Sequence, residues 1–167
     1  MGKHILFVST HYSPDFHYGG VVESSTNLYQ ALKISDNSKY SLVTVSKTPK
    51  NVKAKLKGDE HCYQSFFFHR FGFSFELLYK LWFQIKVNDI IFINGTVTFP
   101  TVVAQIYSLL QKKCFIVSTR GTFGEANLRQ KKWKKLFYYN LGFSNYVYYF
   151  LMYFEKYIMD NLKFVKQ

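Results

Sequence analysis

Residues 4–33 read as a short apolar run, a long loop closed by two glycines, and a helix. This order constrains the fold more than any other feature of the chain. HILFVST carries nothing charged after its first residue. HYSPDFHYGG follows, ending in Gly19 and Gly20, and VVESSTNLYQALK continues at helical spacing. A glycine pair at a strand-to-helix junction turns freely and lets the backbone approach another group closely. The helix behind it aims unpaired N–H groups and a positive dipole end at the loop. An α/β domain holds anionic groups, most often phosphate, at such junctions.

The rest of the chain continues the alternation. Strands are predicted at Ile5–Ser9, at Tyr40–Ser46 with β-branched residues in alternation, in SFFFHRF (65–71), in DIIFING (89–95) and in CFIVSTRG (114–121). Helices are predicted at Val22–Lys33, within FSFELLYKLWFQIKV (73–87), and in TVVAQIYSLLQKK (101–113) behind Pro100. Lys112 and Lys113 are expected in the last turn of that helix, suited to its negative end. EANLRQKKWKKLFYY (125–139) reads as a basic helix, and KTPKNVKAKLKGDEH (47–61) as a polar, mobile connection. DIIFING has almost no polar face, as the middle of a parallel sheet requires. Alternating strands and helices imply a doubly wound, Rossmann-like α/β parallel sheet. Ligands of such sheets sit beyond the carboxyl ends of the strands. Three loops converge there: His11 to Gly20, Asn94 to Phe99, and Ser118 to Glu125.

Composition narrows the class. The 167 residues suit one domain with a sizeable core, and 48% hydrophobic with 20% aromatic content excludes a disordered chain. A net charge of +12 points to an anionic partner. No nucleic-acid motif is present, so nucleic acid is not expected. Cys62 and Cys114 lie far apart in no metal-ligand spacing and read as reduced cysteines of a cytosolic protein. No metal and no cofactor are expected. The N-terminus has no signal-peptide pattern, and Leu6 breaks the myristoylation pattern.

YSPDFHYGGVVESSTNLYQALK, DIIFINGTVTFPTVVAQ and CFIVSTRGTFGEANLRQKKWKK together resemble the N-terminal half of retaining GT-B glycosyltransferases of the family-four type, many of which build bacterial lipopolysaccharide, O-antigen or capsule. The resemblance covers roughly Lys3 to Leu141. It implies an acceptor-side domain over 1–141, with an atypical aromatic tail over 142–167. It implies transfer of a hexose from a UDP- or GDP-linked sugar to a glycan or lipid-linked acceptor. Carried onto this chain, Gly19 and Gly20 approach the donor diphosphate, and Arg120 with Gly121 contacts the donor sugar or reaction centre. Asn94, Gly95 and Thr96 face the acceptor, and His11 joins them. The nucleotide-binding second domain of that family lies beyond this sequence. The expectation is therefore a truncated, frameshifted or split gene product, with a separate C-terminal domain as a partner.

Plainer readings stand beside these. A Gly-Gly turn is also an ordinary strand-to-helix connection. His11 and His17 suit acid–base work or sugar hydroxyls, and equally a locally satisfied loop. Asp15 lies in an ordinary turn sequence, and Glu23 and Glu125 sit where helix dipoles favour acids. Lys131–Lys135 and their apolar neighbours form a basic amphipathic stretch, read either as an anionic-membrane contact or as a solvated face. Leu136–Phe154 is uncharged and long enough to span a bilayer, yet its Asn, Ser and Tyr residues favour an interface. The localisation expected is cytoplasmic, with peripheral attachment to the inner face of the membrane. A non-enzymatic alternative is an inactive remnant acting as a membrane- or partner-binding module. A different nucleotide-binding α/β protein is disfavoured by the lack of a Walker lysine and of GxGxxG.

Overall fold

The computed structural model describes residues 2–14, 19–35, 37–54, 56–66 and 70–119. Nine elements follow one another: β1 (His4–Ser9), α1 (Gly20–Ser35), β2 (Lys39–Ser46), α2 (Pro49–Lys53), β3 (Glu60–Gln64), α3 (Phe75–Val87), β4 (Ile90–Asn94), α4 (Phe99–Leu110) and β5 (Cys114–Ser118). The strands form one sheet in the order β3-β2-β1-β4-β5, and every adjacent pair is parallel. This is the doubly wound, Rossmann-like α/β arrangement that the alternation predicts. Right-handed crossovers put α1 and α2 on one face and α3 and α4 on the other.

The core follows from the central strand. Leu6, Phe7 and Val8 of β1 are fully buried. In register, Phe7 lies between Leu42 of β2 and Phe92 of β4. Its ring stacks on Phe92 at 5.3 Å and meets Tyr29 of α1 at 5.3 Å, with Tyr12 edge-on to Tyr29 at 5.8 Å. Aromatic pairs at such distances add to area burial. On α3, Leu77, Leu81 and Ile85 repeat every fourth residue and are fully buried, the inward stripe of an amphipathic helix. Ser74 caps that helix by accepting from the Leu77 N–H at 3.4 Å. Its far end is held by Asn88, whose amide donates to Gln84 O at 2.7 Å and accepts from Ser41 Oγ at 3.2 Å.

Three expectations are corrected. The third strand is EHCYQ (60–64), not SFFFHRF. Aromatic residues favour strands, but pairing decides, and β2 pairs Leu42 to Ser46 with Glu60 to Gln64. Phe66 instead turns back, its N–H bonding Phe73 O at 2.7 Å. Phe67, Phe68 and His69 lie outside the described residues. The connection 47–61 is not simply a polar loop. It contains α2, opened by Pro49 and anchored by buried Val52, and it ends inside β3. Finally, α4 stops at Leu110, before Lys112 and Lys113. Lys112 takes φ +53° in the turn to β5, and the Lys113 ammonium donates to Lys86 O and Asn88 O, both at 2.8 Å. Lys113 thus serves the carboxyl end of α3 rather than that of its own helix.

No helix among the described residues is long and apolar enough to cross a membrane. The segments Leu136–Phe154 and Lys131–Lys135, the basic helix, and the division at residue 141 all fall outside the described residues.

The buried phenols make the fold sensitive to alkali. Burial pushes the Tyr63 phenol up to about 12, helped by the Glu76 carboxylate, and burial with the Glu60 carboxylate raises Tyr29 further. The folded chain therefore keeps protons that the unfolded chain releases near pH 10, so stability is intact below about pH 10 and falls as pH rises towards 12. Urea unfolding midpoints at pH 9 and pH 11.5 should show this drop, and the Tyr29→Phe/Tyr63→Phe double variant should show a smaller one.

Candidate functional site

Strand order reverses between β1 and β4. The chain leaves β1 for α1 on one face and leaves β4 for α4 on the other, and folds of this type form their ligand crevice at the carboxyl ends of such a strand pair. The strands end together, with Ser9 opposite Asn94 in the register.

The floor of the crevice is a buried polar bridge. The Asn94 amide donates to Ser9 Oγ at 3.3 Å and to Ser25 Oγ of α1 at 3.0 Å. Ser9 Oγ donates to His11 O at 3.1 Å, and Ser25 Oγ to Val21 O at 2.7 Å. Ser9, Ser25 and Asn94 are all buried. Groups buried this deeply must be paired, and here they pair with one another across three elements. Asn94 thereby fixes the first turn of α1 over the end of β4.

The walls are tied by hydroxyls. Thr10 and Thr98 share a hydrogen bond between their Oγ1 atoms. Thr98, before α4, also bonds Thr101 Oγ1 at 2.8 Å, and its N–H donates to the same oxygen at 3.1 Å. Gln105 Nε2 donates to Thr101 O at 3.1 Å and to Thr96 O at 3.3 Å. Gly95, at φ +119°, adopts a backbone that other residues rarely reach, and its N–H bonds Ser118 O at 2.9 Å. This chain of bonds holds the Gly95–Thr98 loop from three sides. Within it, Thr96 is buried and its hydroxyl has no hydrogen-bond partner among the described residues, a status that the Ser108 hydroxyl of α4 shares. A buried unpaired hydroxyl costs about 1–3 kcal/mol.

The opposite lip is the start of α1. Gly19 sits at φ +68°, a conformation that favours glycine, and its carbonyl accepts from the Val22 N–H at 3.0 Å. Gly20 is the first helical residue, and a Cβ there would meet nothing within 4 Å. Its lack of a side chain is not required by packing against the described residues.

The residues expected from sequence fall into three groups. Gly19, Gly20, Asn94, Gly95, Thr96 and His11 all lie in the loops or strand ends around the crevice. His11 is buried, and its carbonyl is part of the floor. Arg120, Gly121, Asp15, His17 and Glu125 lie outside the described residues. Ser9, Thr10, Ser25, Thr98 and Gln105 are structural members of the site that the motif reading passed over. Ser25 had a legible signal, because Val22, Ser25 and Tyr29 form the buried stripe of α1. Thr98 had one too, as a threonine placed to cap the helix that Pro100 opens, whereas Ser9 and Thr10 are set by contacts across the sheet and Gln105 by the fold of the loop before α4.

Two further concavities lie elsewhere: one of about 310 Å³ around His4, Asp59, His61 and Asn88, and one of about 390 Å³ along β3, bounded by Lys53, Glu60, Glu76 and Lys80. No group of three or more His, Cys, Asp or Glu with metal-binding geometry occurs among the described residues. No protein-family profile, curated protein or solved structure matches the chain.

The two kinds of glycine predict opposite outcomes. Gly72, in the loop before α3, combines φ +74° with contacts of 2.8 Å from an added Cβ to Thr10 Cγ2 and Val45 Cγ2. Gly72→Ala should cost about 2–4 kcal/mol in urea unfolding, from backbone strain and overpacking. Gly20→Ala should instead be neutral or stabilising by up to about 1 kcal/mol.

Proposed function

We propose that this chain is the acceptor-side domain of a retaining GT-B glycosyltransferase of cell-surface polysaccharide synthesis. Its reaction breaks the bond between the sugar C1 and the diphosphate oxygen of a UDP- or GDP-linked hexose. A new bond forms from C1 to a hydroxyl of a glycan or lipid-linked acceptor, with retention. The resemblance of the three loop segments supports this reading, and so does the meeting of the described parts of the first two loops, through Ser9, Asn94, Thr10 and Thr98, at the carboxyl ends of β1 and β4. The observation that carries it is the Thr96 hydroxyl: buried, without a partner among the described residues, and held by a tightly bonded loop at the strand ends where this fold type binds ligands.

In this reading the open backbone at Gly19 and Gly20 approaches the donor diphosphate, whose charge is met by the amino end of α1. Arg120 adds a guanidinium that grips phosphate oxygens as they take up charge on departure, with Gly121 leaving room beside it. Gly95 and Thr96 meet the acceptor with His11, on the scaffold that Asn94 holds. A separate chain or domain completes the donor site. The domain works in the cytoplasm against the inner face of the membrane, with Lys131–Lys135 drawn to anionic lipid.

Calorimetric titration of the full chain with UDP- and GDP-sugars tests the donor side. Wild type should bind one of them, and Gly20→Ala should weaken that binding about tenfold or more while keeping its unfolding midpoint. Thr96→Val should be as stable as wild type or more so, because an unpaired hydroxyl is removed, yet should bind acceptor glycans less well. Absence of sugar-nucleotide binding at millimolar concentration, or wild-type affinity in Gly20→Ala, would overturn the donor assignment. In the enzyme assembled with its nucleotide domain, Arg120→Ala should lower kcat, and an unchanged kcat would remove Arg120 from the reaction centre.

A further inference from the structure

The helix α3 is apolar on both faces. Leu77, Leu81 and Ile85 fill the core, while Phe75, Tyr79 and Phe83, also four residues apart, point outward. Phe75 is 63% and Tyr79 65% exposed. Tyr79 and Phe83 rings touch at 4.9 Å, and the half-exposed Trp82 meets Tyr107 of α4 edge-on at 5.1 Å. Beside them α4 leaves Leu109 and Leu110 exposed. A soluble helix turns charge and polarity outward; one that is apolar all round is covered by something.

We infer that the outer face of α3 and α4 is a docking surface for an anionic lipid bilayer. It rests on the membrane placement proposed above and assigns it to a surface other than Lys131–Lys135. Charge selects the occupant. Lys80 and Lys86 are exposed on α3 and Lys112 in the turn after α4, which itself carries no charged residue, against one exposed acid on α3, Glu76. The Lys80 ammonium lies 5.9 Å from the Tyr79 ring centre, so charge and aromatic surface are interleaved. Tyr and Trp rings with lysines among them suit the headgroup region, where one end of each group is wet and the other apolar. A second copy suits the face badly, because two such faces would bring their lysines into one desolvated seam on a chain of net charge +12.

Position supports the same occupant. The ridge continues through ring contacts of Phe75 with Phe73 at 4.8 Å and with Phe66 at 6.2 Å, into the loop before α3. That loop packs on the crevice wall, since the Gly72 backbone lies against Thr10 and Pro100. The aromatic surface therefore starts beside the mouth of the candidate site. A lipid-linked acceptor held in the bilayer would enter from that side.

Vesicles of phosphatidylglycerol and phosphatidylcholine test this with the full chain. The Trp133→Phe variant leaves Trp82 as the single tryptophan. On vesicle addition its emission should shift to the blue and be quenched by lipids brominated in the acyl chain. Phe75→Ser/Tyr79→Ser/Phe83→Ser alters only exposed positions, and circular dichroism checks its fold. It should lower vesicle partitioning about tenfold or more, with a weaker dependence on the mole fraction of anionic lipid. If wild type binds vesicles but the triple variant binds equally and Trp82 emission is unmoved, the ridge is not the docking surface and the membrane placement survives through another segment. If wild type ignores anionic vesicles, or elutes as a dimer that the triple variant breaks, both the ridge assignment and the membrane placement fall. Sugar-nucleotide binding bears on neither result.

Discussion

The pairing of β1 with β4 is the constraint on which the rest of the molecule depends. β1 is flanked on both sides, by β2 in one direction and β4 in the other, and its three central residues are fully buried. Helices leaving its two neighbours must go to opposite faces. In this fold type that leaves the carboxyl ends of β1 and β4 as the place where a ligand gap forms. The gap is lined by what β1 and β4 carry at their last positions, Ser9 and Asn94. The polar bridge to Ser25 holds α1 at a fixed height above them.

The same region shows how this fold sorts its buried polar groups. Asn94, Ser9, Ser25, Thr98, Thr101 and Gln105 are satisfied by one another, so their burial is offset by bonds made on folding. Those residues build the scaffold. Thr96 sits among them and shares none of these bonds through its hydroxyl. Gly20 differs in a parallel way: its missing side chain answers no steric demand of the described residues, whereas that of Gly72 answers a severe one. Groups whose chemistry is explained by folding belong to the frame.

Much of the frame was legible in the sequence because it is written in periodicity. HILFVST and DIIFING are apolar throughout, and only strands buried on both faces read that way. α3 and α4 announce themselves through spacing and through Pro100. The errors have one physical source, which is that local preference is weaker than pairing and burial. SFFFHRF has the stronger strand composition, yet EHCYQ takes the edge because its register with β2 buries Cys62 and Tyr63. Val52 is one apolar residue in a lysine-rich stretch, and its burial is enough to order a short helix. Lys113 reaches across to α3, a partner that no local pattern encodes. The glycines and Asn94–Gly95–Thr96 were visible as a motif, whereas Thr10 meeting Thr98 spans 88 positions of sequence and exists only once the sheet is assembled.

The aromatic residues follow the same distinction on the outside of the molecule. Phe7, Tyr29 and Phe92 stack within the core, and Phe73 and Phe99 close the loop before α3, so each of these rings is accounted for by packing. Phe75, Tyr79 and Phe83 are not, since the inward face of their helix is already filled by Leu77, Leu81 and Ile85. Polar residues at those three positions would leave the core unchanged and α3 more soluble. Their presence is therefore a cost to the isolated fold with no return inside it, as the Thr96 hydroxyl is. The two features lie on connected structure, the hydroxyl in a loop pinned by Thr98 and Thr10, and the rings continuing into a loop packed on Thr10. A surface that wants an apolar neighbour beside a crevice that wants a polar one is what a molecule with both characters, a sugar carried on a lipid, would find complementary.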